Sequence, residues 1–287
     1  MELINIYRNL PKPIPSMGIE AYIEEKNKSI NFSDRRKRNY EMYLESGRTS
    51  IISYLPIKLD IENVSRCNYR CPMCAVSTWH KMKRANDMSL IQFKQLLDEQ
   101  YGLIEVKIQG LGEPALQGED FFKMIEYARK KVIWVRTTTN ASRLDYKEMY
   151  KSFIDSDANE IQISIDGASK KTYEKIRVGG KFEKVKKNCS LINKYSDDMN
   201  VCRTKMWTLV QDDNIEELEK FVDFADETGF KQIVFSLDMH GWGDKDLGLK
   251  NRKKTSYDVS FERLSNLVRI GNKKNVRVSF WVINEKY

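Results

Sequence analysis

Histidine and long apolar runs are what this sequence has least of. The 287-residue chain contains 2 histidines, and no apolar run approaches the ~20 residues that a transmembrane helix needs. A site built mainly from histidine is therefore excluded, and no membrane association is expected. The first eight residues lack a basic segment followed by an apolar one, so a secretory signal is not indicated. These absences predict a cytoplasmic protein.

Cysteine is also scarce, and charge of one sign is not concentrated anywhere. The 5 cysteines are too few and too unevenly spaced for a secreted disulfide scaffold. The net charge of +8 comes from 49 basic and 41 acidic residues that are interspersed along the chain. The densest basic runs, at residues 35–38 and 252–254, are short, far apart and not interleaved with aromatic residues. No nucleic-acid partner is expected.

The order of patterns along the chain predicts a parallel α/β fold. Residues 1–50 are polar and contain two predicted helices, so we interpret them as a helical N-terminal extension. From about residue 51 to 240, short strands alternate with amphipathic helices, which is typical of parallel βαβ units. The six predicted strands are Ile57–Val64, Ile104–Gln109, Val132–Thr139, Glu160–Ile165, Cys202–Val210 and Gln232–Ser236. Residues 241–287 then add a helix and a strand at Ser279–Ile283. We interpret this segment as the start of a further domain.

The faces of these strands distinguish between two parallel architectures. A parallel strand that is buried on both sides reads as a continuous apolar run, but these strands alternate. Lys58 and Asp60 oppose Leu59, and Lys107 opposes Val106. The apolar face fits the covering helices, and the polar face fits a barrel lumen. The pattern therefore favours a partial (β/α)6 TIM-like barrel, whose site belongs at the carboxyl ends of the strands.

Three of the cysteines lie within eight residues, directly after the first predicted strand. Cys67, Cys71 and Cys74 form a CxxxCxxC motif. Thiolates are soft ligands for iron–sulfur clusters and for zinc. A structural zinc site wants four ligands, and His80 is the only other local donor. Three cysteines can instead hold three irons of a [4Fe–4S] cube and leave the fourth iron open for chemistry.

This motif, in this place, resembles that of the radical S-adenosylmethionine (SAM) superfamily. Three further segments agree in order: Gln109 to Pro114 is similar to the family's Gly-Gly-Glu-Pro motif, Thr137 to Asn140 ends the third strand, and Ser164 to Gly167 ends the fourth. The resemblance implies that Cys67, Cys71 and Cys74 bind the cluster. It also implies that the following residues contact SAM: Met73, Gly110, Gly112, Glu113, Pro114, Asn140, Ser164, Asp166 and Arg177.

The roles differ between these residues. In the family the glycine-rich segment holds the SAM amino group, although Leu111 stands here at the first glycine position. Ser164 and Arg177 would contact polar groups of SAM, and an arginine fork suits a carboxylate. Asp166 would reach a ribose hydroxyl. Met73 stands where the family often has an aromatic residue, and it can pack on the adenine.

The resemblance implies a radical SAM enzyme. In this family the cluster cleaves SAM reductively to a 5′-deoxyadenosyl radical, which abstracts a hydrogen atom from the substrate. An electron donor of the flavodoxin or ferredoxin type is implied, together with a small-molecule or peptide substrate. A carbohydrate or nucleoside would use the lumen carboxylates Asp60 and Glu62. The loop with His240, Trp242 and Asp244 is either a substrate contact or a plain connection.

Two questions stay open at this level. The strand signature is similar to that of the SPASM/twitch-like subgroup, yet no cysteine follows Cys202. The chain is therefore either a minimal enzyme with one cluster or, as we favour, a fragment that ends before an auxiliary-cluster domain. The alternative functions are a non-enzymatic iron–sulfur or zinc-binding sensor, which needs a closed four-ligand site, and a degenerate barrel that serves as a binding scaffold.

Overall fold

A computed structural model describes residues 9–47, 50–78, 84–237, 245–254 and 259–282. Within these ranges no helix combines the length and the apolar character needed to cross a membrane. His80, His240, Trp242 and Asp244 lie outside the described residues. The predictions made for them are therefore not addressed by the fold.

Parallel strands alternate with helices through the described chain. The seven strands are β1 (Lys58–Ile61), β2 (Glu105–Ile108), β3 (Trp134–Thr139), β4 (Glu160–Ser164), β5 (Thr204–Leu209), β6 (Gln232–Ser236) and β7 (Arg277–Trp281). The helices are α1 (Ile19–Ile30), α2 (Asp34–Glu45), α3 (Leu90–Glu99), α4 (Glu119–Lys130), α5 (Met149–Asp155), α6 (Lys170–Ile176), α7 (Phe182–Asp198), α8 (Leu218–Glu227), α9 (Lys245–Lys254) and α10 (Phe261–Lys273).

The strands form one sheet in which each strand pairs with the next in sequence. All six pairings are parallel, and the order runs from β1 to β7 without a crossover. Among the described strands, β1 and β7 are the edges and do not pair with each other. The α/β, barrel-like fold is confirmed as an open sheet. The strand predicted at Ser279–Ile283 is β7, which lies at Arg277–Trp281 and joins β6 in register from Gln232↔Arg277 to Ser236↔Trp281, so the sheet has one strand more than the six assigned to the barrel.

The two faces of the sheet have different surroundings, as the alternation predicted. The apolar side chains of the strands, such as Val106, Ile108 and Ile161, are buried beneath the helices. Helix α3 supplies Phe93 and Leu97 to this core and begins at the predicted capping box on Ser89. Burying this apolar surface is the main favourable term in folding.

The segment before α1 closes the floor of the lumen, at the amino ends of the strands. The backbone of Phe280 in β7 donates to the carbonyl of Pro11 at 2.8 Å. Lys205 Nζ donates to the carbonyl of Ile14 at 2.6 Å, and Gln232 Nε2 donates to that of Ser16 at 3.0 Å. The segment thus covers part of the β7 edge, which would otherwise expose unpaired backbone groups, and then crosses beneath the lumen.

Asn214 corrects one local prediction. Its position predicts the cap of the helix that carries Leu218 and Val222. The structure instead has a short 3₁₀ turn at Ile215–Glu217, with α8 beginning at Leu218. The Asn214 amide donates to the carbonyls of Asp166 at 3.1 Å and Leu209 at 2.8 Å. It joins the ends of β4 and β5 instead of capping a helix.

Candidate functional site

The carboxyl ends of the strands form the mouth of a cavity of about 690 Å³. Because parallel strands end at the same edge of the sheet, loops that are distant in sequence meet there. All twelve residues that the sequence analysis assigned to the cluster or to SAM line this cavity: Cys67, Cys71, Cys74, Met73, Gly110, Gly112, Glu113, Pro114, Asn140, Ser164, Asp166 and Arg177. The lining continues down the lumen to the floor.

The loop of three cysteines is held in a defined shape by its own backbone. Cys74 N donates to the carbonyl of Cys71 at 3.0 Å, and Ser77 Oγ donates to the same carbonyl at 2.8 Å. Cys67 Sγ accepts from the backbone N–H of Tyr69 at 3.4 Å. Tyr69 itself is buried, and its hydroxyl lies 3.3 Å from that of Tyr173. The loop is therefore anchored to α6 through Tyr69.

Burial disfavours the charged form of all three thiols. It raises the pKa of Cys67 to about 11 and also raises the pKa of Cys71 and of Cys74. None of the three is in a disulfide. A bound metal centre would supply the positive charge that a thiolate needs in such surroundings.

The chemistry of the donors favours a cluster over a single ion. Within the described ranges, no three His, Cys, Asp or Glu groups converge closely enough to hold one metal ion. An iron–sulfur cluster binds each thiolate through a different iron, so its ligands stand further apart. Three soft sulfur donors that line one cavity form a donor set that suits such a cluster.

The glycine turn after β2 packs directly against the cysteine loop. A Cβ on Gly112 would lie 2.1 Å from the carbonyl oxygen of Val64 and 2.8 Å from that of Arg66, so only glycine fits. Glu113 N donates to the carbonyl of Arg66 at 2.9 Å. The close approach of the two backbones explains why a glycine follows Leu111 here.

Two carboxylates beside this turn bond to the protein's own backbone. Glu62 accepts from Leu111 N at 2.7 Å and does not line the cavity, whereas Asp60 does. The pair of lumen carboxylates expected for a carbohydrate is thus reduced to one. Glu113 is fully buried, accepts from Thr139 Oγ1 at 2.6 Å and from Asn140 N at 2.8 Å, and has a pKa raised by burial.

Asn140 connects the end of β3 to the cysteine loop. Its Nδ2 donates to Asn68 Oδ1 at 3.0 Å and lies 3.9 Å from Cys67 Sγ. Its own backbone N–H is held by Glu113. The Thr-Asn segment therefore touches the surroundings of the first cysteine.

Asp166 and Arg177 form an ion pair beside the second cysteine. Arg177 Nη2 lies 2.6 Å from Asp166 Oδ2, and the other carboxylate oxygen accepts from Leu209 N at 2.8 Å. Burial opposes the charge on Arg177, but the Asp166 carboxylate together with Cys71, Tyr173 and Tyr69 outweighs burial and raises the arginine pKa. The positive charge of Arg177 offsets part of the effect of burial on the pKa of the Cys71 thiol. Asp166 is fully buried, so its first partner is Arg177 and not an open ligand position.

The comparison with known families agrees with this geometry. A family model described as the radical SAM superfamily matches residues 61–225, which is more than half of the chain. The chain belongs to the radical SAM superfamily. Members of this superfamily use a [4Fe–4S] cluster and SAM, and the donor set described above fits both.

Two relatives in sequence show how far the radical SAM similarity extends. The chain is 29% identical over 190 residues to a mycofactocin maturase of Mycolicibacterium smegmatis, covering 66% of this chain and 46% of that protein. It is 32% identical over 196 residues to a GTP 3′,8-cyclase of Aliarcobacter butzleri, covering 64% of this chain and 57% of that protein. The chain thus spans about half the length of the relatives it matches.

A solved structure shares the fold over a wider range. SuiB of Streptococcus suis, bound to the precursor peptide SuiA, superposes with a TM-score of 0.62 at 17% identity. The match covers 86% of this chain and 52% of that one. This likeness confirms the radical SAM fold.

Two groups of functional residues escaped the sequence analysis. Asn251 of α9 donates to the carbonyl of Met73 at 2.9 Å, and no local signal could have shown that contact. Lys107, Arg136 and Lys205 line the cavity from neighbouring strands. Their positions on the polar face of each strand were a usable signal, because that face was already expected to line a lumen.

Proposed function

We propose that this radical SAM protein holds a [4Fe–4S] cluster through Cys67, Cys71 and Cys74 and acts as a SAM-cleaving enzyme. When bound, the cluster and SAM supply the chemistry: reductive cleavage to a 5′-deoxyadenosyl radical, which takes a hydrogen atom from the substrate. The observation that carries the proposal is that all twelve assigned residues, from the carboxyl ends of four strands and from the residue after α6, line one cavity.

Some residues at the mouth would contact SAM, and others would hold those residues in position. Gly110 and Gly112 let the turn pack against Glu62 and the cysteine loop, and the turn would present backbone groups to the amino group of SAM. Arg177, fixed by Asp166, presents its fork beside Cys71 and suits a carboxylate. Ser164 and Asn140 add polar contacts, and Met73 would pack on the adenine. Glu113 and Pro114 act as positioning residues that fix the turn.

The lumen below the mouth would receive the substrate. The floor closes one end of the lumen, and SAM and substrate bound at the mouth would keep water from a reactive intermediate. Among the relatives, one is named a mycofactocin maturase and one structure is bound to a precursor peptide, whereas another relative is a GTP 3′,8-cyclase. A peptide or small-molecule substrate is therefore proposed. We also propose a flavodoxin- or ferredoxin-type electron donor and a cytoplasmic location.

The test is an anaerobic assay for the product of SAM cleavage. The protein is reconstituted with iron and sulfide, reduced with dithionite, mixed with SAM and analysed for 5′-deoxyadenosine by mass spectrometry. The wild type is expected to form 5′-deoxyadenosine, and Cys71→Ala is expected to abolish it. Cys202→Ser is the matched control, because Cys202 does not line the cavity.

Each other outcome has a definite meaning. Equal product from the wild type and from Cys71→Ala would contradict the proposal. A cluster that forms but neither binds SAM nor cleaves it would favour the non-enzymatic sensor.

A further inference from the structure

The face of the sheet that lines the lumen carries more basic side chains than the acidic side chains beside them pair with. Lys58 and Arg136 both pair with Glu105, at 2.8 and 3.0 Å, and Lys205 pairs with Glu160 at 2.7 Å. The ammonium group of Lys107 makes no hydrogen bond or ion pair with any residue of the described ranges. It nevertheless lines the cavity.

The residues next to Lys107 in the sheet do not form an ion pair with its ammonium group. In the register of the sheet, Asp60, Lys107, Arg136 and Glu160 form one row across β1 to β4. Asp60 is the direct partner of Lys107 in this row, yet their side chains form no ion pair in the described structure. Burial, with Arg136 close by, lowers the pKa of Lys107 to about 8.

A partly buried, unpaired ammonium group is costly to a fold. The cost falls when an anion enters the same low-dielectric space, because charge attraction there is stronger than in water. An apolar side chain at position 107 would avoid the cost without a ligand. A lysine at position 107 is therefore accounted for if an anionic ligand binds next to it.

Other strands contribute aromatic side chains to the cavity wall. Trp207 of β5 and Trp281 of β7 have ring centroids 6.0 Å apart, and both line the cavity together with Leu209. The lumen thus offers a cationic group on β2 and apolar rings on β5 and β7. A molecule that suits both has an anionic end and an apolar or aromatic body.

We propose that Lys107 binds an anionic group of the substrate, a carboxylate or a phosphate, while the apolar part of the substrate packs on Trp207 and Trp281. This inference rests on the proposed function, because it takes the lumen as the substrate site. It makes Lys107 a specificity-determining residue of that site.

The experiment uses three probes with the same aromatic body and different charge. The reconstituted protein is titrated by calorimetry with 3-phenylpropionate, with 3-phenylpropyl phosphate and with neutral 3-phenylpropan-1-ol. At least one anion is expected to bind about tenfold more tightly than the alcohol, which corresponds to ~1.4 kcal/mol. The anion that binds better shows whether the group is a carboxylate or a phosphate.

Variants test whether Lys107 causes the preference. Lys107→Met is expected to remove the preference for the anion while it still binds the alcohol, which also shows that the cavity is intact. Lys107→Gln serves as a second neutral variant, and Lys107→Arg should keep the preference. Lys123→Gln removes an exposed lysine of α4 and is the control for net charge.

Three results would overturn the inference. They are equal binding of anion and alcohol by the wild type, an anion preference that survives in both neutral variants, and no binding of any anion at millimolar concentration. If 5′-deoxyadenosine forms but Lys107 does not increase the affinity for anions, only this inference fails. If anions bind through Lys107 but SAM is not cleaved, the proposed function fails and the lumen remains an anion site.

Discussion

Buried polar groups at the floor of the lumen are paired with each other, and the buried thiols at the mouth are not. At the floor, Lys205 and Glu160 are both buried and pair at 2.7 Å, and Glu160 also accepts from Ser16 N at 3.1 Å and Gln162 Nε2 at 2.9 Å. At the mouth, three thiols are buried with their pKa values raised. Lys205 and Glu160 neutralise each other, whereas the partners of the thiols within the protein do not offset burial. The difference separates a region built for stability from one built for binding.

The largest expected effect comes from breaking the ion pair at the floor. In Lys205→Met, Glu160 keeps a buried charge without its counter-ion, and this should lower the free energy of unfolding by about 3–5 kcal/mol. Chemical denaturation at neutral pH measures the change. The double variant Glu160→Gln with Lys205→Met removes both charges and should recover most of the loss. A single variant that unfolds like the wild type would show that the floor does not depend on this pair.

The second effect concerns the two glycines of the mouth. Gly112→Ala places a Cβ against the backbone of Val64 and Arg66, so the cysteine loop must move, at a cost of about 1–3 kcal/mol. Gly110→Ala meets the side chain of Glu62 instead of backbone, and Glu62 can move at the cost of its hydrogen bond from Leu111 N. We expect iron content after reconstitution to fall by more than half in Gly112→Ala and to fall less in Gly110→Ala. Equal iron in the two variants would contradict the packing of the turn on the loop.

The smallest expected effect is a gain in stability, whereas the two variants above lose stability. The pKa of Lys107 is lowered from 10.5 to about 8, so the folded protein holds this proton less tightly than the unfolded chain does. The destabilisation is complete below pH 8 and is relieved as the pH rises from about 8 to 10.5. Lys107→Met should therefore raise the free energy of unfolding by about 1–2 kcal/mol at pH 7.

The pH profile identifies the source of that gain. Lys58 and Asp60 on β1, Arg136 on β3 and Glu160 on β4 are the charged groups around Lys107, and all four remain in the variant. The advantage of Lys107→Met over the wild type should shrink above pH 8 in denaturation curves. A gain that stays constant to pH 10 would assign it to packing instead of charge.

Local patterns were enough to predict the mouth. The CxxxCxxC spacing, the glycine turn and the strand ends each depend on a few adjacent residues, and the parallel topology brings them to one edge whatever the details of packing. The alternation of Lys58, Leu59 and Asp60 likewise predicted which face lines the lumen. β6 was predicted with the bounds that the structure has, and the other strands to within a few residues.

Contacts between distant segments could not be predicted in the same way. The residues before α1 gave no sign that Ile14 and Ser16 bond to Lys205 and Glu160, because those partners are more than 140 positions away. Glu62 was expected to face the lumen, but nothing local shows that the backbone of Leu111 binds its carboxylate. Such contacts are decided by the packed structure, and sequence periodicity carries no information on them.

The most direct test of the account is whether SAM reaches the cluster. The protein is reconstituted anaerobically, reduced with dithionite, and examined by electron paramagnetic resonance with and without SAM. In the proposed site three cysteine ligands would leave one iron open, so SAM should change the g-values of the reduced cluster, and the unreactive analogue S-adenosylhomocysteine should change them less. A [4Fe–4S] signal that is identical in the presence and absence of SAM would mean a closed site and would contradict the account.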